Sequence, residues 1–155
     1  LGFETCAYDG GNTPLLRSIY KRKAVQQEQS LFQDPLRLEF MLAAGRLMPH
    51  RLQIFTLERA GELGAALVTL FDRGVRRFYT IWFAEEIVAH SPALTLIFEV
   101  ARQSLADGLD CDYMTGEQPY KLRLATDSLP LYQLKATSEQ LSAVWADRYE
   151  TRIAA

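Results

Sequence analysis

The chain has 155 residues, 48% of them hydrophobic, which is enough for one domain that buries a core of its own. Its 17 basic and 19 acidic side chains leave a net charge of −2, so the composition does not indicate the broad basic surface that binds nucleic acid. No apolar run is long enough to span a membrane, and the two cysteines have neither the spacing of metal ligands nor a disulfide-rich context. We therefore expect a cytoplasmic protein with no metal site, no membrane span and no nucleic-acid partner.

The first third of the sequence predicts a strand and two helices. Residues 3–8 have the composition of a strand, and a turn signal at 9–12 closes it. Thr13 is expected to cap a helix whose first residue is Pro14, and Asp34 to cap another that starts at Pro35. The apolar side chains expected on the buried stripes are Leu16, Ile19, Tyr20 and Ala24 in the first helix and Leu36, Phe40, Ala43 and Leu47 in the second. The basic run at 21–23 could form an anion patch, but a solvated face is the preferred interpretation, because consecutive helical residues point in different directions.

Three strands follow, over 52–58, 63–71 and 77–83, and the short turns between them predict an antiparallel meander. The second and third strands are apolar on both faces, which is typical of central strands covered by helices on both sides. Simple alternation in the third strand places Phe78 and Trp82 on one face, opposite Tyr79, Ile81 and Phe83.

The next helix has the clearest start signal in the chain. Ser91 is expected to cap it by accepting a hydrogen bond from a first-turn amide, Pro92 suits its first position, and Gly108 ends it. The free N–H groups and the positive end of the helix dipole favour an anion such as a phosphate there. The apolar face expected to be buried contains Leu94, Ile97, Phe98, Ala101 and Leu105.

The remainder predicts a strand over 109–115, an irregular turn up to residue 121, and an edge strand over 130–136. A capping box at 137–140 then opens a terminal helix.

An ordered set of residues from the helix start to this turn carries a resemblance. The set comprises Ser91, Pro92, Ala93, Leu96, Glu99, Gly108, Asp112, Gly116, Glu117, Tyr120 and Lys121. It resembles the signature of the GNAT-type acyltransferase domain of CelD/BcsL-like proteins, which are relatives of the FemAB-like aminoacyl transferases. The likeness runs over about residues 15–135, and the predicted element order is the GNAT order. We therefore expect an α/β fold of the α+β type, with a mixed, largely antiparallel central sheet flanked by helices, as one domain over residues 1–155. The start at Leu1 suggests a fragment or the C-terminal half of a longer protein with a missing N-terminal domain.

The resemblance also implies a coenzyme site. In GNAT enzymes the strand that ends here near Phe83 and the strand that starts at Leu109 splay apart, and the pantetheine arm of acetyl-CoA lies between them. Its pyrophosphate rests on the following helix start, which assigns coenzyme binding to Phe83, Ser91, Pro92, Ala93 and Leu94. Two departures stand out: the common phosphate-binding glycines are absent, and Ala93 replaces the glycine of Ser-Pro-Gly, where a methyl group narrows the approach to the backbone.

Candidate catalytic residues follow from the same motif. Lys121 is a candidate to stabilise the developing negative charge or to hold an acidic substrate, Tyr120 to protonate the leaving group, and Asp112 or Glu117 to act as base. Ordinary structural roles stay open for all four residues: a solvated lysine, a packing tyrosine and surface carboxylates. His90 is interpreted as a surface residue rather than a base. Glu99 is interpreted as the partner of Arg102 in an i,i+3 ion pair.

The leading hypothesis is an acyltransferase that moves an acyl group from acetyl-CoA or a related donor to an amine or sugar hydroxyl of a small-molecule or saccharide acceptor. A second is a non-catalytic half of a tandem GNAT protein that serves as an interaction or substrate-positioning module, and a homodimer is a further arrangement to consider. A third, FemAB-like aminoacyl transfer from tRNA, requires a basic groove that the composition does not favour.

Overall fold

A computed structural model of the protein describes residues 2–26, 30–132, 135 and 137–142. The chain forms two compact units, Leu1–Ala125 and Thr126–Ala155. The prediction of a single domain over the whole chain stays a prediction. No helix in the described ranges is long and apolar enough to cross a membrane.

The first unit contains a five-stranded sheet with the strands in sequence order. The strands are β1 (Glu4–Asp9), β2 (Leu52–Arg59), β3 (Glu62–Asp72), β4 (Val75–Phe83) and β5 (Asp110–Asp112), and the helices are α1 (Thr13–Gln26), α2 (Pro35–Leu47), α3 (Pro92–Ala106) and α4 (Pro119–Leu124). Short 3-10 helices at Leu31–Gln33 and Glu85–His90 precede α2 and α3. β1 to β4 are antiparallel neighbours, and β5 is parallel to β4. The predicted element order and the mixed, largely antiparallel sheet are confirmed.

Local signals explain where these elements begin and turn. Both hairpin loops have two residues, Ala60 and Gly61 in one and Arg73 and Gly74 in the other, all with positive φ, as type I′ turns require. Asp34 caps α2 as predicted, because its Oδ1 accepts from the Leu36 amide at 2.9 Å. The same kind of contact at α1 comes from Asn12, whose Oδ1 accepts from the Leu15 amide at 3.2 Å. The predicted cap at Thr13 was therefore displaced by one residue.

Helices α1 and α2 cover one face of the sheet. Their shared core contains Leu16, Ile19, Tyr20, Met41 and Leu42 from the helices and Leu52, Ile54, Ala66, Val68 and Trp82 from the strands. The predicted stripe of α1 is confirmed at its three largest members. The predicted stripe of α2 was wrong, because Leu36, Phe40 and Leu47 are 70–80% exposed. The side chains of Met41 and Leu42, on a different side of the helix, are buried instead.

Helix α3 covers the other face of the sheet. Its buried residues are Pro92, Leu96, Ile97, Val100, Ala101 and Ser104. The predicted buried face of α3 is only partly confirmed. Ile97 and Ala101 are buried as expected, whereas Phe98 and Leu105 are 51% and 64% exposed. The predicted end at Gly108 is confirmed: with φ +73° it closes a Schellman motif in which the Leu109 amide bonds to the Ser104 carbonyl at 2.9 Å.

Strand β4 contains a β-bulge that the sequence pattern did not predict. Val68 pairs with Thr80 and Thr69 pairs with Phe78, so Tyr79 is an extra residue opposite β3. The bulge reverses the alternation: Phe78 shares the α3 side with Ile81 and Phe83, whereas Tyr79 packs on the α1–α2 side with Trp82. The predicted grouping of Phe78 with Trp82 was therefore wrong.

In the second unit the predicted capping box is confirmed. The Gln140 amide donates to the Thr137 hydroxyl at 3.2 Å, and the Gln140 side chain accepts from the Thr137 amide at 2.8 Å. Of the edge strand predicted over 130–136, residues 130–132 and 135 are not in a strand, and the other residues lie outside the described part of the chain.

Candidate active site

Strands β4 and β5 separate after a short contact. Only three residues of β5 pair with β4, opposite 75–77, whereas β4 continues as far as Phe83. The strand predicted over 109–115 is therefore much shorter than expected. Asp112 stands at the point of separation, where its Oδ1 accepts from the Met114 amide at 2.8 Å and its Oδ2 lies 3.5 Å from Arg77 Nε. The result is a gap between neighbouring strands, as the resemblance implied.

A cavity of about 350 Å³ occupies this gap, and we call it the gap cavity. Its lining comprises Lys23, Phe32, Arg37, Leu67, Phe78, Tyr79, Thr80, Ile81, Ile97, Met114, Thr115, Tyr120 and Lys121. Phe32 and Tyr79 pack with the α1–α2 core, whereas Phe78, Ile97 and Tyr120 pack with the α3 core. Because both layers contribute side chains, the gap cavity has walls on both sides of the sheet.

Helix α4 brings Tyr120 and Lys121 into the gap cavity together. Tyr120 is half-buried, and burial raises the pKa of its hydroxyl, so the group keeps its proton through the neutral range. Burial lowers the pKa of Lys121, and the nearby Asp112 charge acts in the opposite direction. The Lys121 ammonium donates a hydrogen bond to the Thr115 carbonyl. The arrangement places a neutral proton donor next to a cation.

The two predicted carboxylate bases lie outside this lining. Asp112 forms the contacts with Met114 and Arg77 described above, and Glu117 is an exposed turn residue. Their predicted roles stay predictions that this geometry does not support.

The predicted coenzyme segment lies at the start of α3. Pro92 is the first helical residue, as expected, but Ser91 has φ 50° and ψ 50° and makes no side-chain cap hydrogen bond. An N-cap residue usually has an extended backbone, from which its side chain can reach the first-turn amides. The left-handed backbone of Ser91 directs its side chain away from them, so the capping prediction was wrong. The first amide of α3 bonded to a carbonyl four residues back is that of Thr95, to Ser91, at 3.0 Å. The amides of Ala93 and Leu94 precede it and have no such partner within the helix.

A second, larger cavity of about 850 Å³ lies beside this segment. Ser91, Pro92 and Leu94 line it together with Phe3 and Phe98, and Ala93 is not in the lining. The Phe83 carbonyl accepts a hydrogen bond from Gln26 Nε2 at 3.1 Å, and Phe83 lines neither cavity. The structure thus brings two of the four catalytic candidates, Tyr120 and Lys121, together in one cavity and three of the five coenzyme candidates at another.

Two further residues discussed from the sequence also line the larger cavity. His90 is exposed at the end of the 3-10 helix before α3. Glu99 receives two hydrogen bonds from Arg102, at 2.7 and 3.1 Å, which confirms the predicted ion pair. Within the described part of the chain no group of three or more side chains could hold a metal ion.

Sequence reasoning did not identify the basic residues on the α1–α2 side of the gap cavity, and the solvated face predicted for 21–23 was wrong at Lys23. Lys23 is half-buried, and burial lowers its pKa. Arg37 Nε donates to the Tyr79 hydroxyl at 2.8 Å, and the guanidinium lies over the rings of Phe32 and Tyr79 at 5.4 and 5.5 Å. A signal for Lys23 was present, since it follows Leu16 by seven residues and therefore continues the buried stripe of α1.

The sequence profile of the acetyltransferase (GNAT) domain family matches residues 4–122. No curated protein matches the chain significantly.

Solved structures share the fold at low sequence identity. An aminoglycoside acetyltransferase from an uncultured soil metagenomic sample, in complex with sisomicin, is 11% identical with a TM-score of 0.63, over 87% of this chain and 95% of its own. A predicted acetyltransferase from Clostridium acetobutylicum, solved with acetyl-CoA, is 10% identical with a TM-score of 0.65, over 86% and 96%. AAC(6')-Iy in complex with a CoA bisubstrate analogue is 13% identical with a TM-score of 0.58, over 88% and 100%.

The profile covers well over half of the chain, and the solved structures share its fold. The chain belongs to the GNAT acetyltransferase domain family, whose members use acetyl-CoA as the acetyl donor.

Proposed function

We propose that this protein transfers an acetyl group from acetyl-CoA to an amine of a small-molecule acceptor, with a sugar hydroxyl as the alternative nucleophile, and that the reaction takes place in the gap cavity. The observation that supports this most directly is the position of Tyr120 and Lys121 in a cavity with walls from both layers. Such a cavity can admit the donor from one side of the sheet and the acceptor from the other.

The exposed edge of β4 suits the donor. Beyond the pairing at 75–77, residues 78–83 have no β5 neighbour, which leaves an unpaired strand edge next to the gap, apart from the Phe83 carbonyl that Gln26 already occupies. Pantetheine contains two amides in an extended chain and can pair with such an edge as an added strand would. The bulge leaves Tyr79 without a partner in β3, so the regular pairing of β4 is interrupted next to the gap.

The chemistry of acetyl transfer then assigns one role to Tyr120 and another to Lys121. An unprotonated amine attacks the thioester carbonyl, the new C–N bond forms, and the C–S bond breaks as the tetrahedral intermediate collapses. Tyr120, which is protonated at neutral pH, gives its proton to the departing thiolate and regains one from solvent. The Lys121 ammonium stabilises the negative charge that develops on the oxygen and then on sulfur. With Asp112 and Glu117 outside the lining, we expect the amine to lose its proton to solvent.

One observation favours a second candidate function, the non-catalytic half of a tandem protein. The α3 start lines a different cavity from Tyr120 and Lys121, and Ala93 stands where the CelD/BcsL-like motif has glycine. The CelD/BcsL-like subtype itself rests on the ordered motif from Ser91 to Lys121. Nothing in the charge distribution of the gap cavity requires tRNA.

The test combines binding and turnover. Titration calorimetry with acetyl-CoA and a thiol-release assay with a panel of amines should show binding and acceptor-dependent release of CoA. Tyr120→Phe should lower kcat by roughly 10²–10⁴-fold at unchanged KM for acetyl-CoA, because only the proton donor is removed. Tyr8→Phe is the matched control, since Tyr8 lines neither cavity and its hydroxyl bonds to Glu58 at 3.0 Å.

Two results would contradict the proposal. If the folded protein does not bind acetyl-CoA at millimolar concentration, acetyl-CoA is not its acetyl donor, and the non-catalytic candidate is supported. Full activity of Tyr120→Phe removes Tyr120 as the acid while leaving the overall reaction in place.

A further inference from the structure

The lining of the gap cavity has an unbalanced charge. Lys23, Arg37 and Lys121 contribute to it, and within the described residues the lining contains no carboxylate. Lys23 comes from α1 and Arg37 from α2, on one side of the sheet, whereas Lys121 comes from α4. Three cations in a partly enclosed site create a strong positive potential.

Among the described residues, these three cations form no ion pair with a carboxylate, although the Asp112 charge is near enough to act on the pKa of Lys121. The ion pairs among the described residues involve other side chains, such as Arg17 with Glu39 and Arg77 with Asp112. Arg37 donates to a tyrosine hydroxyl and stacks on aromatic rings, and Lys121 donates to a carbonyl. Half-buried cations without a carboxylate partner are costly unless an anion binds beside them. The site is therefore complementary to a negatively charged ligand.

The position of Lys23 and Arg37 indicates which ligand carries that charge. Both belong to the layer of α1 and α2, whereas α3, whose start is the expected pyrophosphate site, packs on the opposite face of the sheet. The coenzyme phosphates are thus expected on the other side from these two cations. The guanidinium of Arg37, whose Nε is held by Tyr79, still has terminal N–H donors that suit a planar oxyanion.

We propose that the acceptor carries an anionic group, a carboxylate or a phosphate, which Arg37 and Lys23 bind while its amine faces the thioester. This inference rests on the proposed acetyl transfer in the gap cavity. The same cations disfavour polycationic acceptors, in contrast to sisomicin, which is bound to the metagenomic aminoglycoside acetyltransferase. The chain is therefore expected to acetylate anionic amines in preference to aminoglycosides.

Matched acceptor pairs test the inference. Glycine and glycinamide differ by the carboxylate charge, glucosamine 6-phosphate and glucosamine differ by the phosphate, and sisomicin supplies a polycation. We expect kcat/KM at least 10-fold higher for the charged member of one pair, which also tells carboxylate from phosphate, and the lowest value for sisomicin.

Single substitutions then test whether Lys23 and Arg37 bind the anionic group of the acceptor. Lys23→Met should raise the acceptor KM by roughly 10-fold for the preferred anionic amine and leave the KM for acetyl-CoA unchanged. Lys21→Met is the control, because Lys21 is an exposed residue of the same helix and the variant has the same net charge. Arg37→Lys keeps the charge but loses the planar fork and should raise the same KM. Thermal melts establish that each variant is folded.

The outcomes separate the two proposals. Wild-type protein that binds acetyl-CoA but acetylates neutral amines or sisomicin as well as anionic ones overturns the inference alone. A Lys23→Met variant with a raised KM for acetyl-CoA overturns it too, since the cations then serve the coenzyme phosphates. Wild-type protein that binds no acetyl-CoA overturns the proposed function, and the inference with it.

Discussion

Glu99 and Arg102 form a bidentate ion pair on the solvent-accessible side of α3. Two hydrogen bonds from the guanidinium and one from the Gln103 amide at 2.9 Å converge on the carboxylate. The hydrogen bonds from Arg102, then the one from the Gln103 side chain, lower the pKa of Glu99 to about 2 from the ordinary value of 4.5. Charge-assisted bonds of this kind favour the ionised carboxylate over the protonated one.

This pKa predicts how stability changes with acid. Because the folded-state pKa of Glu99 is below its unfolded value, the contribution of the carboxylate is fully present above about pH 4.5 and is lost as the pH falls towards about 2. We therefore expect the free energy of unfolding of wild type to exceed that of Glu99→Gln at pH 6, and the two to converge by pH 2. Urea denaturation at both pH values measures this. Glu117→Gln, at an exposed turn, is the control, and a wild-type to Glu99→Gln difference that stays constant with pH would contradict the assignment.

At this scale the sequence could predict residues that a local motif defines, and the Glu99 pair is one of them. Tyr120 and Lys121 were also identified as neighbours of one site, because an ordered motif and its turn bring them together. Arg37 could not be assigned to the site, since its partner Tyr79 is 42 residues away and faces it only because of the bulge in β4. Long-range contacts of this kind are absent from any local pattern.

Among the elements, α2 shows why a correctly predicted helix can be assigned the wrong face. Its sequence is apolar on more than one side, so two stripes fit the helical period equally well. Close packing of α2 against the backbone of the turn after β1 decides which apolar side is buried. A Cβ added at Gly45 would lie 2.2 Å from the Gly10 carbonyl oxygen, so only this side of α2 can pack closely against the turn after β1. The glycine was visible in the sequence, but its partner was not.

The face assignment has a direct test in two leucines of α2. Leu42 is fully buried in the α1–α2 core, so Leu42→Ala should lower the free energy of unfolding by about 2–5 kcal/mol through lost burial and the cavity that remains. Leu36→Ala makes the same chemical change at a residue that is 77% exposed, and its effect should stay within about 0.5 kcal/mol. Urea denaturation of both variants measures the difference. The reverse order of stabilities would restore the face first predicted from the sequence.

For the whole molecule, the element order and the antiparallel meander followed from local periodicity and turns, and so did the existence of the gap through the family resemblance. What local patterns could not supply is how the surfaces around the gap divide into two cavities. That division depends on how α3 lies across the sheet, and the buried face of α3 was predicted correctly only at Ile97 and Ala101. With the pyrophosphate expected at the start of α3, the gap cavity and the larger cavity therefore offer the thioester arm of acetyl-CoA two different places, and only the first contains Tyr120 and Lys121.

Blocking each cavity in turn decides between them. Thr115 is an exposed residue at the gap cavity and Thr5 an exposed residue at the larger one, so tryptophan at either position adds bulk to one cavity with little effect on the core. A ligand that binds only the folded state at 100 times its Kd stabilises it by about 2.7 kcal/mol, which for a chain of this length raises Tm by roughly 5–10 °C. We expect acetyl-CoA to produce this rise in wild type and in Thr5→Trp but not in Thr115→Trp, as measured by thermal melts with and without the ligand. If only Thr5→Trp lost the increase in Tm, acetyl-CoA would have to bind in the larger cavity. A thioester held there could not reach Tyr120 and Lys121, so this result would contradict the proposed reaction.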